Sequence, residues 1–316
     1  MRVRFVRSCV AVVLLFVVHF CASAQSLLAN KRVLWLGDSI TQAGDYVTFV
    51  EYFLEKQYPA DKFDIISIGL ASETASCLSE KTHPFPRPCV QERLQRALDL
   101  VKPQVVVACY GMNDGIYHPQ SAERMQAFEH GIEKLIATVH AAGAQVILLT
   151  PPSFDVLPVK GKVAPQSASD FGFLTPYAGY DDVLAEYARW EMQLPKNEAA
   201  VIDLHTPMDT YLAKRRKTEP DFTFAKKDGI HPDAAGHLLM AQIVLRGLGV
   251  PVEEAGLKKV EADPLYKRIK EQREARSAGW LKYVGYTRGE TVKTDSVTDV
   301  EKKNADLQKE IDALRK

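Results

Sequence analysis

Residues 33–44 read VLWLGDSITQAG. Four apolar residues, Val33 to Leu36, make a short buried-strand run that stops at Gly37-Asp38-Ser39. Gly and Asp are ordinary turn formers, so the corner alone says little. A serine at the tip of a strand acquires meaning from what stands at the ends of the other strands.

Working outward, the same alternation of short apolar strand, loop and amphipathic helix repeats to about residue 250. Strands are expected at 33–36, 63–68, 105–109, 146–150 and 201–204. They are rich in Val and Ile and apolar on both sides of the pleat, as strands covered on both faces must be. Helices are expected at 46–57, 90–101, from about 121 to a stop at Gly143, 177–192 and 234–248. Five strands alternating with helices predict an α/β fold with a doubly wound, five-stranded parallel sheet. The stretch 151–176 has no period of its own and reads as a long functional rim.

In open α/β sheets, ligands bind beyond the carboxyl ends of the strands. There the sequence places Ser39, then Gly69, then YGMND (110–114), and, after the fifth strand, DGIHP (228–232). These are the parts of a serine hydrolase. A serine hydroxyl needs a base to take its proton, and histidine titrates in the useful range. His231 is the candidate base, and Asp228, three residues earlier, can fix its tautomer. Donors for a tetrahedral oxyanion are the N–H groups of Ser39 and Gly69 and the amide of Asn113. Asp38 is read as a brace for the turn.

GDSIT at 37–41, Gly69, GMND at 111–114 and DGIHP at 228–232 resemble, in order, the four signature segments of the SGNH (GDSL-type) hydrolases. The resemblance covers about residues 31–250. It implies a flavodoxin-like sheet, a nucleophile at Ser39, triad partners at Asp228 and His231, and an oxyanion hole of Ser39, Gly69 and Asn113. One segment departs: SIGLASET around Gly69 lacks the Asn-x-Gly-x-x-Gly pattern of many members. Members are esterases, lipases and carbohydrate deacetylases. The expected activity is removal of O-acetyl groups from poly- or oligosaccharides through an acyl-enzyme. The alternatives are a lipid or lysophospholipid esterase, and a non-catalytic carbohydrate-binding protein on the same scaffold.

The full chain has 40 basic and 40 acidic residues, so no basic excess points to a nucleic-acid partner. Residues 1–24 carry Arg2, Arg4 and Arg7, then an apolar run, then Ala22-Ser23-Ala24. That is the pattern of a signal peptide cleaved before Gln25, and the apolar run is too short for a stable membrane anchor. The expected product is secreted or periplasmic. Of its three cysteines, Cys77 and Cys89 flank a Pro-rich loop; a disulfide there and free thiols are both open. No Cys/His spacing resembles a zinc site, and no metal, nucleotide or flavin is implied.

His83, His118, His130, His140, His205 and His237 are read as surface or core residues, with His83 and His118 nearest the rim. Tyr110, Tyr117, Phe154 and Tyr177 are candidates for a sugar-stacking surface or plain packing. The charge run KRRK at 214–217 reads as a solvated face. The domain is expected to end at 252, followed by a charged, mainly helical extension, 253–316, that Trp280, Tyr283 and Tyr286 dock. A last helix from Ser296 carries Val297, Val300, Asn304, Leu307, Ile311 and Leu314 at heptad spacing. That seam suits self-association or packing on its own domain.

Overall fold

The computed structural model describes residues 27–225, 227–252, 256–287 and 292–315. The leader assigned to residues 1–24 lies outside them. In chain order the elements are β1 (Arg32–Gly37), α1 (Ser39–Ala43), α2 (Asp45–Gln57), β2 (Asp64–Ser67), α3 (Val90–Val101), β3 (Val105–Cys109), α4 (Ala122–Ala141) and β4 (Gln145–Leu149). After these come α5 (Tyr180–Glu191), β5 (Ala200–Ile202), α6 (His205–Arg216), α7 (Ala234–Gly247), α8 (Leu257–Ala262), α9 (Pro264–Val284) and α10 (Val297–Leu314).

The five strands pair in the order β2-β1-β3-β4-β5, all parallel. This is the flavodoxin-like order, in which the chain reverses direction across the sheet between β1 and β3. Right-handed crossovers then put α2 and α7 on one face and α3 and α4 on the other. Val33 to Leu36 and Val105 to Cys109 are buried throughout, so the central strands form the core between both helical layers. Among the described residues, no helix is long and apolar enough to cross a membrane.

The extension is part of this packing. Helix α9 lies against α2, α3 and β2 and covers the edge strand. Tyr266 stacks on Phe49, with ring centroids 5.0 Å apart. Arg276 donates to the Ile65 carbonyl (3.2 Å) and to Asp64 (2.6 Å) on β2, and reaches Glu301 of α10 (2.7 Å). A guanidinium thus occupies the backbone acceptor of an edge that would otherwise be a pairing hazard. Trp280 is buried and Tyr286 packs partly buried against the core, whereas Tyr283 is exposed and does not dock the extension. The α10 seam faces α9 of the same chain, burying Val300, Leu307 and Ile311, and α9 approaches closely at Gly279. KRRK is only partly a solvated face: Arg216 pairs with the buried Asp155 (2.6 Å), and Arg215 lies over Phe222.

Candidate active site

Strand β1 ends at Gly37, whose φ of +157° leaves no room for a side chain beside Thr41 and the Cys109 carbonyl. Asp38 then caps α1, its Oδ1 accepting the Ile40 N–H at 2.9 Å. Burial pushes the Asp38 carboxyl up to about 7, although the Ile40 hydrogen bond and the nearby His231 oppose the shift. Asp38 is therefore a brace, as the turn chemistry suggested. Ser39 follows at the first position of α1, its side chain facing the cleft.

The Ser39 Oγ lies 2.7 Å from His231 Nε2, and His231 Nδ1 lies 2.8 Å from Asp228 Oδ2. The other carboxylate oxygen of Asp228 accepts the N–H groups of Ile230 and His231, both at 2.9 Å. Burial would raise the Asp228 pKa, but the hydrogen bonds from the His231 ring, the His231 N–H and the Ile230 N–H hold it at about 2. The bond to that carboxylate in turn raises His231 above its ordinary value, against desolvation. With Nδ1–H donating to Asp228, Nε2 presents its lone pair to the serine hydroxyl. This arrangement can move the Ser39 proton to His231 and hold the resulting imidazolium beside a carboxylate.

Asn113 is buried behind the serine. Its Oδ1 accepts from Arg87 Nη1 (2.9 Å) and from the Tyr117 hydroxyl (3.0 Å). Those two donors fix the amide so that Nδ2 points the other way, toward Asp38 (3.4 Å) and the Glu73 carbonyl (3.3 Å). Both contacts are long, leaving Nδ2 as an available donor at the serine end of the cleft. Asp114 secures the segment by accepting from Ala75, Ser76 and Gly111 N–H groups at 2.7–2.8 Å.

Gly69 is not brought into the cleft. It sits beneath α1, where a Cβ would stand 2.3 Å from the Gln42 nitrogen and 2.5 Å from the Thr41 carbonyl carbon. Ser72, three residues on, lines the cleft instead, with a left-handed φ of +69°. Neither the Ser39 nor the Ser72 N–H meets a protein acceptor among the described residues. Gln42 of α1 accepts the Ala71 N–H at 2.7 Å, which ties this turn to the helix bearing Ser39.

Arg87 was not expected at the site. It lies between Cys77 and Cys89, which form a disulfide. Its guanidinium grips Glu80 with two bonds of 2.5 and 2.6 Å, both side chains almost fully buried, and sits 5.4 Å from the Tyr117 ring centroid. A charged residue inside a Cys-bounded loop is the signal that was present in the sequence. Of the histidines, His83 lines the cleft and His118 does not; it packs against Phe171 instead. Tyr117 reaches the cleft wall, whereas Tyr110 bonds Glu73 and Phe154 is buried against Tyr180. Phe173 and Leu174, from the long rim, complete the mouth. The cleft encloses about 420 Å³ and carries Arg87, Lys162 and Lys227 among its walls.

The profile of the GDSL-like Lipase/Acylhydrolase family matches residues 35–239. No curated protein matches the chain. Among solved structures, Axe2, an acetylxylan esterase from Geobacillus stearothermophilus, is 20% identical with a TM-score of 0.53, over 73% of this chain and 100% of that one. BT4096, a gut microbial diltiazem-metabolizing enzyme, is 20% identical with a TM-score of 0.51, over 69% of this chain and 47% of that one. With its sheet order, its serine at the end of β1 and a profile match spanning most of the sheet, the chain belongs to the GDSL-like lipase/acylhydrolase family, whose members are esterases acting on ester bonds.

Proposed function

We propose that the protein is a secreted serine esterase that removes O-acetyl groups from poly- or oligosaccharides. The observation that carries the reading is the continuous relay Asp228–His231–Ser39 opening into a cleft of about 420 Å³. Ser39 Oγ attacks the ester carbonyl as His231 Nε2 takes its proton. The oxyanion accepts from the N–H groups of Ser39 and Ser72 and from Asn113 Nδ2. His231 then returns the proton to the departing sugar oxygen, leaving an acetyl-enzyme. Water, deprotonated by the same histidine, releases acetate.

A cleft of about 420 Å³ with Lys162 and Lys227 in its wall suits a short acyl group on a polar alcohol better than a long lipid chain. The likeness to an acetylxylan esterase supports the same substrate class. The Cys77–Cys89 disulfide suits an oxidising compartment, which supports export.

The test is acetate release from acetylated xylan and from an aryl acetate, using protein recovered from an exporting host and its Ser39→Ala variant. N-terminal sequencing of the same sample should begin at Gln25. Release from both substrates by the wild type, and from neither by the variant, is expected. Turnover of the aryl ester alone redirects the substrate toward lipids. Equal inertness of both proteins makes the fold a binding scaffold.

A further inference from the structure

Away from the catalytic cleft, three side chains converge between α5 and α6 at the carboxyl edge of the sheet. Asp181 stands in the first turn of α5, while His205 and Asp209 are one turn apart on α6. Their ligand atoms all lie within 4.8 Å of one another. His205 Nε2 is 3.4 Å from Asp209 Oδ2 and 3.9 Å from Asp181 Oδ2. Acidic clusters are common on surfaces, so the carboxylates alone would carry nothing.

The imidazole is the independent observation. His205 is only 3% exposed, yet neither ring nitrogen has a partner at good hydrogen-bond geometry; the Pro151 carbonyl is the backbone acceptor beside the ring. Buried polar atoms are almost always satisfied, so an orphaned imidazole aimed at two carboxylates asks for a partner that protein does not supply. No lysine or arginine pairs with Asp181 or Asp209 among the described residues. A cation between the three groups would satisfy all of them.

We propose that Asp181, His205 and Asp209 form a site for one divalent transition-metal ion of the Zn²⁺ class. Two ligands bonded at about 2.0–2.2 Å across a tetrahedral angle stand roughly 3.3–3.6 Å apart. The His205–Asp209 separation already falls in that range, and Asp181 needs to close by only about 0.5 Å. One imidazole with two carboxylates suits zinc, manganese or cobalt; calcium and magnesium prefer all-oxygen shells. Asp181 is positioned through its other oxygen, which accepts the Phe154 N–H at 2.6 Å, the kind of outer contact that orients metal ligands. The side chains of Asp181 and Asp209 are 33% and 41% exposed, which leaves a fourth position open to water.

The role is structural. Through Asp181 the ion pins Phe154, and the next residue, Asp155, donates its N–H to the Gly229 carbonyl at 2.8 Å. Gly229 belongs to the turn that carries Asp228 and His231, so occupancy stiffens the ground behind the triad.

The test is titration of chelator-treated, dialysed full-length protein with Zn²⁺, followed by calorimetry and by thermal unfolding. One equivalent per chain is expected, with Tm raised by roughly 5 °C at a hundredfold excess over Kd. Asp209→Asn, which changes a half-exposed side chain and leaves packing intact, and His205→Gln should each abolish both signals. His231→Ala should keep them. Binding that survives Asp209→Asn, or that disappears in His231→Ala, places the ion elsewhere and overturns the proposal. So does the absence of any heat or shift at millimolar Zn²⁺.

Discussion

Replacing Asp228 by Asn isolates what the carboxylate does, because the substitution keeps its shape. In the native turn one oxygen of Asp228 accepts two backbone N–H groups, from Ile230 and His231, at 2.9 Å each. The amide that replaces the carboxylate must therefore keep its oxygen at that position. Its NH₂ is then forced toward His231 Nδ1, where the carboxylate oxygen now stands at 2.8 Å. Two donors cannot face each other, so the imidazole adopts the other tautomer, with Nδ1 bare and Nε2 protonated. An Nε2–H pointing at Ser39 Oγ cannot accept the serine proton. The same change of tautomer in a serine-protease triad lowers kcat by about 10⁴, which is roughly 5.4 kcal/mol of barrier. We expect a loss of that order in kcat on an aryl acetate at pH 8, with KM little altered because the cleft is untouched. Thermal unfolding should shift by no more than about 2 °C, since both backbone bonds survive. Retention of more than a tenth of wild-type kcat by Asp228→Asn would refute the reasoning, because it would mean that the His231 tautomer is not set by this residue.

Two further outcomes follow from the same geometry. The bond to Asp228 raises the His231 pKa, and only neutral His231 can take the serine proton, so activity is lost as pH falls through that pKa; the acid limb of kcat/KM should have its midpoint above 6.5, and a midpoint near 5.5 would contradict it. Gly69→Ala drives a methyl group into the backbone of α1 at Gln42 and Thr41; overpacking of this kind costs about 1–3 kcal/mol, so Tm should fall by roughly 2–6 °C and kcat with it, and unchanged values would show the contact to be soft.

What could be read from the sequence was whatever packing states in simple periodicity. Helix α3 and strand β3 begin and end where their apolar spacing says, because Val105 to Cys109 is buried on every side and the α3 face of Val90, Leu94, Ala97, Leu98 and Val101 is unbroken. The burial of helix α9 was concealed because its inward face includes Gln272, Arg273 and Arg276. Buried guanidiniums satisfied by β2, Thr48 and Glu301 look, in a sequence, like a solvated charge run. The triad was legible because Asp228 and His231 are close in sequence and Ser39 ends a strand. Ser72 was not. A left-handed turn is expected at glycine, and the nearest glycine, Gly69, lies outside the cleft lining; its missing Cβ serves a close approach to α1. The convergence of Asp181 with His205 and Asp209 was equally hidden, since it depends on two helices meeting across a sheet edge.

Arg87 ties these threads together. An amide can present either its oxygen or its nitrogen to a cleft, and nothing in the four signature segments decides which. Here the decision comes from outside them. Glu80 holds Arg87 through two bonds, the disulfide closes the loop that carries both, and Arg87 donates to Asn113 Oδ1 and to the Ser72 carbonyl. One guanidinium therefore orients the Asn113 amide and braces Ser72, which lines the same cleft as Ser39. A guanidinium has donors only, so Asn113 cannot flip while Arg87 stays in place. A buried charge stays in place only while its partner does, because breaking such a pair strands the other ion out of water. The loop is thus a second support for the Asn113 and Ser72 side of the cleft, independent of the sheet that supports Ser39. Reading the site from the strand ends alone finds Ser39, Asn113, Asp228 and His231 and misses Arg87, which fixes the Asn113 amide.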